Sequence, residues 1–491
     1  MGRQEAADEL PPHVLIFPLP MQGHINSMLK LAELLCLSNL HVTMLFSEYS
    51  HSRLRRHADI ESRFSRYPGF RVATMCDGLP DDHPRVGERT MEIMMSLLEV
   101  GGAQFRKLME TTDALSYGGG ARRRVTCLIM DGVLSFAVPV AQEMGIPFIY
   151  FRTSSPCSFW ANFCFNDVIQ AGEIPLKGKD EDKYTYWKRG DLDLMVRSVP
   201  GMEGYLRRRD LPAFCRVDDA NDSEFQTIIR ETRRSAHSSG LILNSFEDLD
   251  GPILDQIRNP IPNLYSIGPL HTHLQARLQS SLTSSSFYQE DRSSMTWLDS
   301  QPAKSVVYVS FGSVTLLSRN ELLEFWYGLV NSGHKFLWVM RPDSIIGDDE
   351  KGRVPVEVEE GTKERGCVLG WVPQNEVLVH PSVGAFFTHC GWNSTLESVA
   401  AGVPMICWPY FADQTINSRF VSEVWRVGLD MKDSCDRVIV EKMVREIMGE
   451  RRDEFEERAR AMADLANKAV SEGGTSSTNF NRLLHFIKSS L

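Results

Sequence analysis

Short apolar runs alternate with amphipathic stretches along the first part of the chain. Residues 14–17 form a β-type run closed by two prolines, and a second run spans 42–46. Between them, apolar residues recur at helical spacing from Ile25 to Cys36. A strand, a helix and a strand in succession predict a βαβ unit with parallel strands. The alternation continues with predicted strands at 125–130, 148–151 and 240–244 and a helix at 135–143.

A second series of the same kind begins after residue 305. Its predicted strands are 306–310, 335–340, 367–369, 384–388 and 405–408, and its predicted helices are 320–331, 375–378 and 394–401. Between the series, residues 269–295 are rich in Ser and Gln, as linkers are. The pattern therefore predicts an α/β protein with two Rossmann-like, doubly wound domains, 1–268 and 296–474, that face a cleft. We expect the last residues, 475–491, to form a helix that packs back on the N-terminal domain.

Net charge, cysteine usage and the length of the apolar runs limit which partners and which cellular compartment we expect. The 491 residues include 53 basic and 64 acidic side chains, a net charge of −11, which argues against nucleic acid or an anionic membrane as a partner. The ten cysteines contain no C-x-x-C pair, and the first twelve residues do not resemble a signal peptide. The longest apolar run, 399–412, contains two prolines and is too short to cross a membrane. We expect a cytoplasmic protein with free thiols, without a membrane span.

Common cofactor and catalytic signatures are missing. No G-x-G-x-x-G follows a predicted strand, and the chain lacks a P-loop, an H-E-x-x-H motif and a G-x-S-x-G elbow. His271 and His273 lie in the polar linker without Cys or carboxylate partners, so we interpret them as part of a solvated loop rather than a metal site.

The segment 371–414 has the features of a nucleotide site. Trp371 follows a strand and offers a flat face for a base, while a tight turn at 389–393 leads into a helix that starts at Ser394. Unpaired amides at a helix start, with the positive end of its dipole, suit a phosphate. His389, Asn393 and Ser394 add side-chain donors.

This segment, 44 residues long, resembles the donor signature of the plant family 1 UDP-glycosyltransferases, which are secondary-product glucosyltransferases of the GT-B fold. The resemblance extends over nearly the whole chain. The further motifs that carry it are Gln22-Gly23-His24, Asp131-Gly132, Leu243-Asn244-Ser245-Phe246-Glu247, Tyr265-Ser266-Ile267-Gly268-Pro269, Trp297-Leu298-Asp299 and Val309-Ser310-Phe311-Gly312-Ser313. Ser27, where many members carry Pro shortly after the catalytic His, resembles a subgroup that includes iridoid and related terpenoid glucosyltransferases.

The resemblance implies a donor site that runs from a uracil to a sugar. A terminal Gln is similar to the members that use glucose, so UDP-glucose is the expected donor, with galactose or a pentose as alternatives. The implied donor residues are Trp371 and Val372 for the base, Gln374 and Glu397 for the ribose, His389, Asn393, Ser394 and Ser313 for the pyrophosphate, and Trp392, Asp413 and Gln414 for the sugar hydroxyls.

The resemblance also implies the chemistry. His24 is the expected general base that takes the proton of an acceptor hydroxyl, and Asp131 is expected to orient its ring. One inverting displacement then gives a β-O-glucoside, without a metal or other cofactor if the helix amides, His389 and Ser394 neutralise the departing diphosphate. Taken singly, His24 is an ordinary residue of a helix start and Asp131 a helix cap, but joint occurrence at family spacing favours catalysis.

Other structural interpretations stay open at this stage. Ser394 and Glu397 fit a capping box, in which Glu397 bonds the helix start rather than a ribose. Trp371 and Trp392 are candidates for core aromatics, and for Trp408 we favour the core.

The acceptor is expected to be a small lipophilic plant metabolite, with a flavonoid, a terpenoid or iridoid, or a hormone carboxylate as the alternatives. Candidate acceptor residues in the N-terminal domain are Met21, Phe151, Phe159, Trp160 and Tyr186. The alternative for Phe159 and Trp160 is a helical stripe in the core.

Two rival classes are an epimerase, which the missing glycine fingerprint opposes, and a non-catalytic UDP-sugar-binding protein, which would more naturally lack His24 or Asp131. We expect a monomer that binds UDP-glucose and a small acceptor and no nucleic acid.

Overall fold

The computed structural model describes residues 11–85, 89–111, 116–117, 121–122, 124–176, 190–217, 219–278, 286–341, 344–346, 355–362, 365–431 and 434–489. Within these residues the chain forms two lobes, each built around a parallel sheet with helices on both faces.

The N-terminal lobe contains a seven-stranded parallel sheet among the described residues. Its strands are β1 (His13–Phe17), β2 (His41–Ser47), β3 (Phe70–Met75), β6 (Cys127–Asp131), β7 (Phe148–Arg152), β8 (Gly240–Leu243) and β9 (Leu264–Ser266), and β4 (Ser116–Tyr117) and β5 (Ala121–Arg122) form a separate antiparallel pair. The order is β3-β2-β1-β6-β7-β8-β9. The strand order reverses between β1 and β6, and in such sheets ligands bind at the carboxyl ends beside this switch point.

Helices cover both faces of this sheet. They are α1 (Gln22–Leu37), α2 (Glu48–His57), α3 (Ile60–Phe64), α4 (Thr90–Glu110), α5 (Val138–Glu143), α6 (Pro156–Phe163), α7 (Phe165–Gln170), α8 (Ser223–Arg233) and α9 (Glu247–Arg258), with 3-10 turns at Gly190–Asp193, Arg208–Asp210, Ala213–Cys215 and Arg234–His237. Alternate residues of β1 enter the two cores, Leu15 and Phe17 on one face and Val14 and Ile16 on the other, because strand side chains alternate.

The C-terminal lobe contains a six-stranded parallel sheet in the described part of the chain, in the order β14-β12-β10-β15-β16-β17. These strands are β10 (Val306–Ser310), β12 (Lys335–Val339), β14 (Gly366–Leu369), β15 (Val383–Thr388), β16 (Met405–Cys407) and β17 (Gly428–Asp430), and β11 (Leu317–Ser318) pairs with β13 (Ile345–Ile346). Its helices are α11 (Ser293–Asp299), α12 (Arg319–Ser332), α13 (Val356–Thr362), α14 (Gln374–Leu378), α15 (Trp392–Ala401), α16 (Gln414–Arg419), α17 (Arg437–Arg445) and α18 (Arg452–Val470), with π-helical turns at Phe420–Val424 and Glu446–Glu450.

The segment predicted as a linker begins with a helix, α10 (Leu270–Leu278). The interpretation of His271 and His273 as part of a solvated loop is therefore wrong. Both side chains are buried, and His273 packs edge-on against Phe480 with its Nδ1 3.1 Å from Ile267 O. Leu274 is buried as well, because the helix packs against α1. The Ser-rich stretch 279–285 lies outside the described residues, and the domain boundaries stay a prediction.

The last helix, α19 (Thr475–Ser489), lies against the N-terminal lobe. Its residues Phe480, Leu483 and Ile487 are buried in that lobe's core. Asn479 Nδ2 also donates to Ser266 O at the end of β9 (3.1 Å).

The fold prediction, two doubly wound α/β domains that face a cleft, is confirmed. Residues that follow β1, β6 and β7 in one lobe and β10, β15 and β16 in the other line the same pair of neighbouring cavities. The lobes also touch directly, since Trp425 Nε1 donates to Leu249 O (3.1 Å) and Arg419 Nε donates to Tyr205 O (2.7 Å).

Candidate active site

His24 and Asp131 meet at the switch point of the N-terminal sheet. His24 lies in the first turn of α1, just after β1, and Asp131 is the last residue of the neighbouring strand β6. His24 Nδ1 lies 2.6 Å from Asp131 Oδ2. The imidazole is 24% exposed, whereas the carboxylate is 1% exposed. The pair predicted from the sequence is thus in hydrogen-bond contact, with the ring at the cavity and the carboxylate behind it.

Backbone amides fix the carboxylate in place. Leu19 N donates to Asp131 Oδ2 (3.2 Å), and Val133 N donates to Oδ1 (3.4 Å). Because Nδ1 faces Asp131, the other ring nitrogen, Nε2, is the one left for a substrate. His24 lines the second of the two cavities, so a proton acceptor is available there.

Sequence reasoning missed Thr153, which also contacts the histidine. Its Oγ1 lies 2.8 Å from His24 Nδ1. Thr153 comes directly after β7, the strand beside β6, so its hydroxyl arrives at the same edge of the sheet as Asp131. Its position just past a buried strand is the signal that could have identified it.

The eleven predicted donor residues are brought together. Nine of them line the first cavity, hereafter the donor cavity, and Asp413 and Gln414 line the second, hereafter the acceptor cavity. The cavities are continuous in their lining, because they share six residues: Gly23, Ser313, His389, Gly391, Trp392 and Asn393.

Trp371 stands as a platform at one end of the donor cavity. Tyr288 packs against its ring, with centroids 4.7 Å apart and planes tilted by 31°. The backbone is held too, since Asp291 N donates to Trp371 O (2.8 Å). Val372 is 2% exposed, so the contact predicted for it is restricted to its backbone.

Gln374 and Glu397 form one hydrogen-bond network. Gln374 Nε2 donates to Glu397 Oε2 (2.8 Å) and to Ser394 Oγ (3.0 Å), and Lys30 Nζ lies 3.5 Å from Glu397 Oε1. The helix starts at Trp392 after Gly391, with no side-chain cap. The capping-box alternative for Glu397 is therefore wrong, because Ser394 is already inside the helix.

His389 lies between two glycines. A Cβ on Gly312 would stand 2.3 Å from His389 Nε2, and one on Gly391 would stand 2.5 Å from it. Gly312 also has φ +75°, a conformation that L side chains rarely adopt. Burial lowers the pKa of His389 to about 4, so the ring is neutral near pH 7 and has one N–H to donate.

Two predicted ligand contacts are occupied by links between the lobes. Trp392 Nε1 donates to Asn244 O (2.8 Å), so this N–H is not free for a sugar hydroxyl. Asn393 Nδ2 donates to Gly23 O (2.7 Å), and Ser27 Oγ donates to Asn393 Oδ1 (2.7 Å). Both side chains hold α1 and β8 of the N-terminal lobe against α15. What these residues offer a ligand is the backbone N–H of the first helical turn.

The predicted sugar-reading residues are held by their own neighbours. Gln414 Oε1 accepts from the amides of Tyr410 and Phe411 (2.8 and 2.9 Å), which leaves its Nε2 to donate. Asn417 Nδ2 donates to Asp413 Oδ2 (2.9 Å), and burial raises the pKa of Asp413.

The acceptor prediction is wrong for three of its residues. Met21 lines the acceptor cavity, but Phe151, Phe159 and Trp160 do not. Phe151 and Phe159 are 0% exposed inside the core, and Trp160 Nε1 donates to Pro200 O (2.9 Å). The core interpretation of the aromatic stripe is the correct one, because the apolar face of α6 packs inward. Tyr186 lies outside the described residues.

Other residues form the acceptor cavity. The polar positions of α6, Ser158 and Asn162, line it together with apolar side chains that the sequence did not single out. Those side chains are Leu19, Met91, Met94, Val133, Phe214, Ile228, Val314 and Phe411.

The described residues also bear on metal binding, membrane insertion and the thiols. They contain no group of three or more His, Cys, Asp or Glu side chains arranged to hold a metal ion. In the same part of the chain no helix has the length and apolar character needed to cross a membrane. All ten cysteines are free thiols.

Trp408 lies in the core, as predicted. Its side chain is 2% exposed, and its ring packs against that of Phe325 with centroids 4.8 Å apart.

Comparisons with known proteins agree with this geometry. The family model described as "UDP-glucoronosyl and UDP-glucosyl transferase" matches residues 260–450. A 7-deoxyloganetic acid glucosyl transferase of Catharanthus roseus is 58% identical over 494 aligned positions, covering 100% of this chain and 99% of the relative. A myricetin 3-O-rhamnoside 1,2-glucosyltransferase of Crocosmia x crocosmiiflora is 42% identical, covering 99% and 97%. The crystal structure of Os79 from O. sativa in complex with UDP superposes with a TM-score of 0.77 at 28% identity, covering 97% and 100%.

Proposed function

This chain belongs to the plant UDP-glycosyltransferase family, and we propose that it transfers glucose from UDP-glucose to a hydroxyl group of an iridoid or related terpenoid. The full-length identity of 58% to a 7-deoxyloganetic acid glucosyl transferase supports both the sugar and the class of acceptor. One structural observation carries the proposal. The His24–Asp131 pair lies in the acceptor cavity, beside the residues that this cavity shares with the donor cavity.

In the proposed reaction, His24 Nε2 takes the proton of the acceptor hydroxyl as its oxygen attacks the anomeric carbon. The bond from that carbon to the diphosphate oxygen breaks, the configuration inverts, and the products are a β-O-glucoside and UDP. Asp131 accepts a hydrogen bond from Nδ1–H at 2.6 Å, which fixes the tautomer and stabilises the imidazolium that forms.

The negative charge that develops on the departing diphosphate must also be stabilised. We place it at the start of α15, where amides of the first turn have no partner within the helix and the dipole is positive. Neutral His389 and Ser394 add donors on the same side. We expect turnover without an added metal, and an assay with and without EDTA checks this.

The test uses the purified full chain with UDP-glucose and 7-deoxyloganetic acid, and measures the glucoside by mass spectrometry and UDP release. His24→Ala is expected to lower kcat by roughly 10²–10⁴, the usual contribution of a positioned base. UDP affinity, measured by calorimetry, should be unchanged. His485→Ala is the matched control, because this histidine is exposed on α19 and lines neither cavity. Normal turnover by His24→Ala rejects the mechanism, and wild-type protein without transfer rejects the function.

Location and assembly are separate proposals. The free thiols support a reducing compartment, so we propose the cytoplasm. We also propose a monomer. Cell fractionation and light scattering of the purified chain test these two statements.

A further inference from the structure

A buried arginine without an ion-pair partner lines the acceptor cavity. Arg152 is the last residue of β7 and is 4% exposed. Among the described residues, its guanidinium donates one hydrogen bond, from Nη1 to Gly132 O (2.9 Å), and it forms no ion pair. Its other hydrogen-bond donors are therefore available at the cavity.

The surroundings do not neutralise this charge at contact distance. Burial lowers the pKa of Arg152, while Asp131, Asp413 and Glu231 oppose that shift as more distant charges. The guanidinium lies over the ring of Phe159, with Cζ 5.4 Å from the ring centroid, and this ring supports the side chain without supplying an anion. A buried cation is unfavourable unless a hydrogen-bonded anion compensates for its lost hydration.

Two further polar groups on the same wall have unused hydrogen-bonding capacity. Ser154 Oγ, which can donate, and Asn162 Oδ1, which can only accept, are buried, and neither has a hydrogen-bond partner in the described part of the structure. Both residues line the acceptor cavity, and Asn162 is only 6% exposed. Much of the remaining lining is apolar, with Met91 and Ile228 among it. Three residues close together in the sequence thus form one polar wall.

We propose that this wall, formed by Arg152, Ser154 and Asn162, binds a carboxylate of the acceptor. The inference rests on the proposed function and specifies its substrate as a hydroxy acid. A guanidinium presents two parallel N–H groups that match a carboxylate, and the Ser154 hydroxyl and the Asn162 Nδ2 supply further donors. The hydroxyl of the same molecule then lies at His24, which lines the same cavity.

Charge also sets the orientation of such a substrate. Asp131 contacts His24, and Asp413 lines the same cavity. A substrate carboxylate turned towards His24 meets these like charges, whereas one turned towards Arg152 meets a cation. The hydroxyl therefore reacts and the acid stays free, so the product is an O-glucoside and not a glucosyl ester.

The experiment compares 7-deoxyloganetic acid with its methyl ester as acceptors for wild type, Arg152→Gln and Arg152→Lys. For Arg152→Gln we expect KM for the acid to rise roughly 10–100-fold, since hydrogen bonds to charged groups contribute about 1.5–3 kcal/mol and 1.4 kcal/mol is tenfold. KM and kcat for the ester should stay near wild type. Arg152→Lys keeps the charge but lacks the two parallel N–H groups, so its KM for the acid should lie between those of wild type and Arg152→Gln. Arg56→Gln, an exposed arginine outside both cavities, is the matched control.

The outcomes separate this inference from the proposed function. Equal losses for acid and ester, or no loss for the acid, overturn the carboxylate wall, and so does an alkali-labile glucosyl ester as the product of the acid. Thermal unfolding and UDP affinity check that each variant is folded, and Asn162→Ala provides a second variant that should weaken the acid alone. If wild type transfers glucose to neither acceptor, the proposed function fails. Calorimetric binding of the acid in the presence of UDP, by wild type and Arg152→Lys, then still tests the wall.

Discussion

Replacing Asp131 with Asn removes the charge and changes only the long contact from the Val133 amide, so this variant tests what the charge contributes to the His24–Asp131 pair. Among the described residues, Oδ2 receives two donors, the Leu19 amide at 3.2 Å and His24 Nδ1 at 2.6 Å, while Oδ1 receives only the Val133 amide at 3.4 Å. In the variant, the amide oxygen is therefore expected at the Oδ2 position, where both stronger donors keep their acceptor. The histidine tautomer and the position of the ring are preserved.

The expected loss follows mainly from the charge, because the Val133 amide, which meets Nδ2 in the variant, loses only a long 3.4 Å contact. A hydrogen bond to a charged group contributes about 1.5–3 kcal/mol and a neutral one about 0.5–1.5 kcal/mol. The difference of about 1–2 kcal/mol corresponds to roughly a 5–30-fold lower kcat, at about 1.4 kcal/mol per tenfold. Asp131→Ala should lose roughly 10²-fold or more, because it also leaves the Leu19 amide buried without a partner and frees the tautomer.

The assay measures kcat by UDP release at saturating UDP-glucose and acceptor, with UDP affinity by calorimetry as the check on folding. The expected ranking of kcat is wild type, then Asp131→Asn, then Asp131→Ala, with UDP affinity equal in all three. Wild-type kcat in Asp131→Asn refutes a role for the charge. A loss as large as that of His24→Ala refutes the argument that two amide donors fix the side-chain orientation.

Three other predictions concern the donor cavity and pH. Trp371→Ala should raise KM for UDP-glucose roughly tenfold, since base stacking contributes about 1–3 kcal/mol, while Trp371→Phe retains most affinity; an unchanged KM rejects stacking. Gly312→Ala should weaken UDP binding roughly tenfold or more in calorimetry, because the new Cβ meets His389 Nε2 at 2.3 Å and overpacking costs about 1–3 kcal/mol. Gly333→Ala is the control and should leave UDP binding unchanged, because Gly333 has a similar φ of +79° but nothing within 4 Å of the added Cβ. Burial lowers the pKa of three histidines to about 4 and raises that of Asp250 to about 6; the histidines are His271, His273 and His389. In the unfolded chain these histidines bind protons below their ordinary pKa of 6.5, so the free energy of unfolding should fall as pH drops from 6.5 towards 4. Asp250 offsets part of this fall below about pH 6, because there the folded chain binds the proton of this carboxyl more tightly than the unfolded chain does. Urea unfolding at about pH 7.5 and 5 measures the change, and equal stability contradicts it.

Local pattern was sufficient for the architecture. The apolar runs at 14–17, 42–46 and 306–310 are buried strands in the structure, because a strand covered on both faces must be apolar throughout. Strands β3, β9 and β17 of the two large sheets were not predicted, and β17 has only three residues. β3 lies at the edge of its sheet, where partly exposed positions such as Arg71 and Thr74 break the run, and β9 has only three residues.

The linker shows where composition misled. Its Ser-rich stretch dominated the interpretation, although Leu270 and Leu274 are spaced for a helix and are buried against α1. Only the neighbouring helices make that short amphipathic segment stable, since an isolated helix of this length is marginal in water.

The sequence by itself determined the fold class, the family, the His24–Asp131 pair and the donor residues that gather around the cleft, because these depend on periodicity and on motifs whose spacing is local. Only the tertiary structure decided which atoms of those residues are free. Asn393 and Trp392 use their side chains to join the lobes, and α6 turns its aromatic face into the core and Asn162 into the cavity. The tertiary structure also decided that Arg152 lines the cavity without an ion pair to any described residue. Whether a side chain is already paired depends on partners that are distant in the chain, and a one-dimensional pattern does not contain their positions.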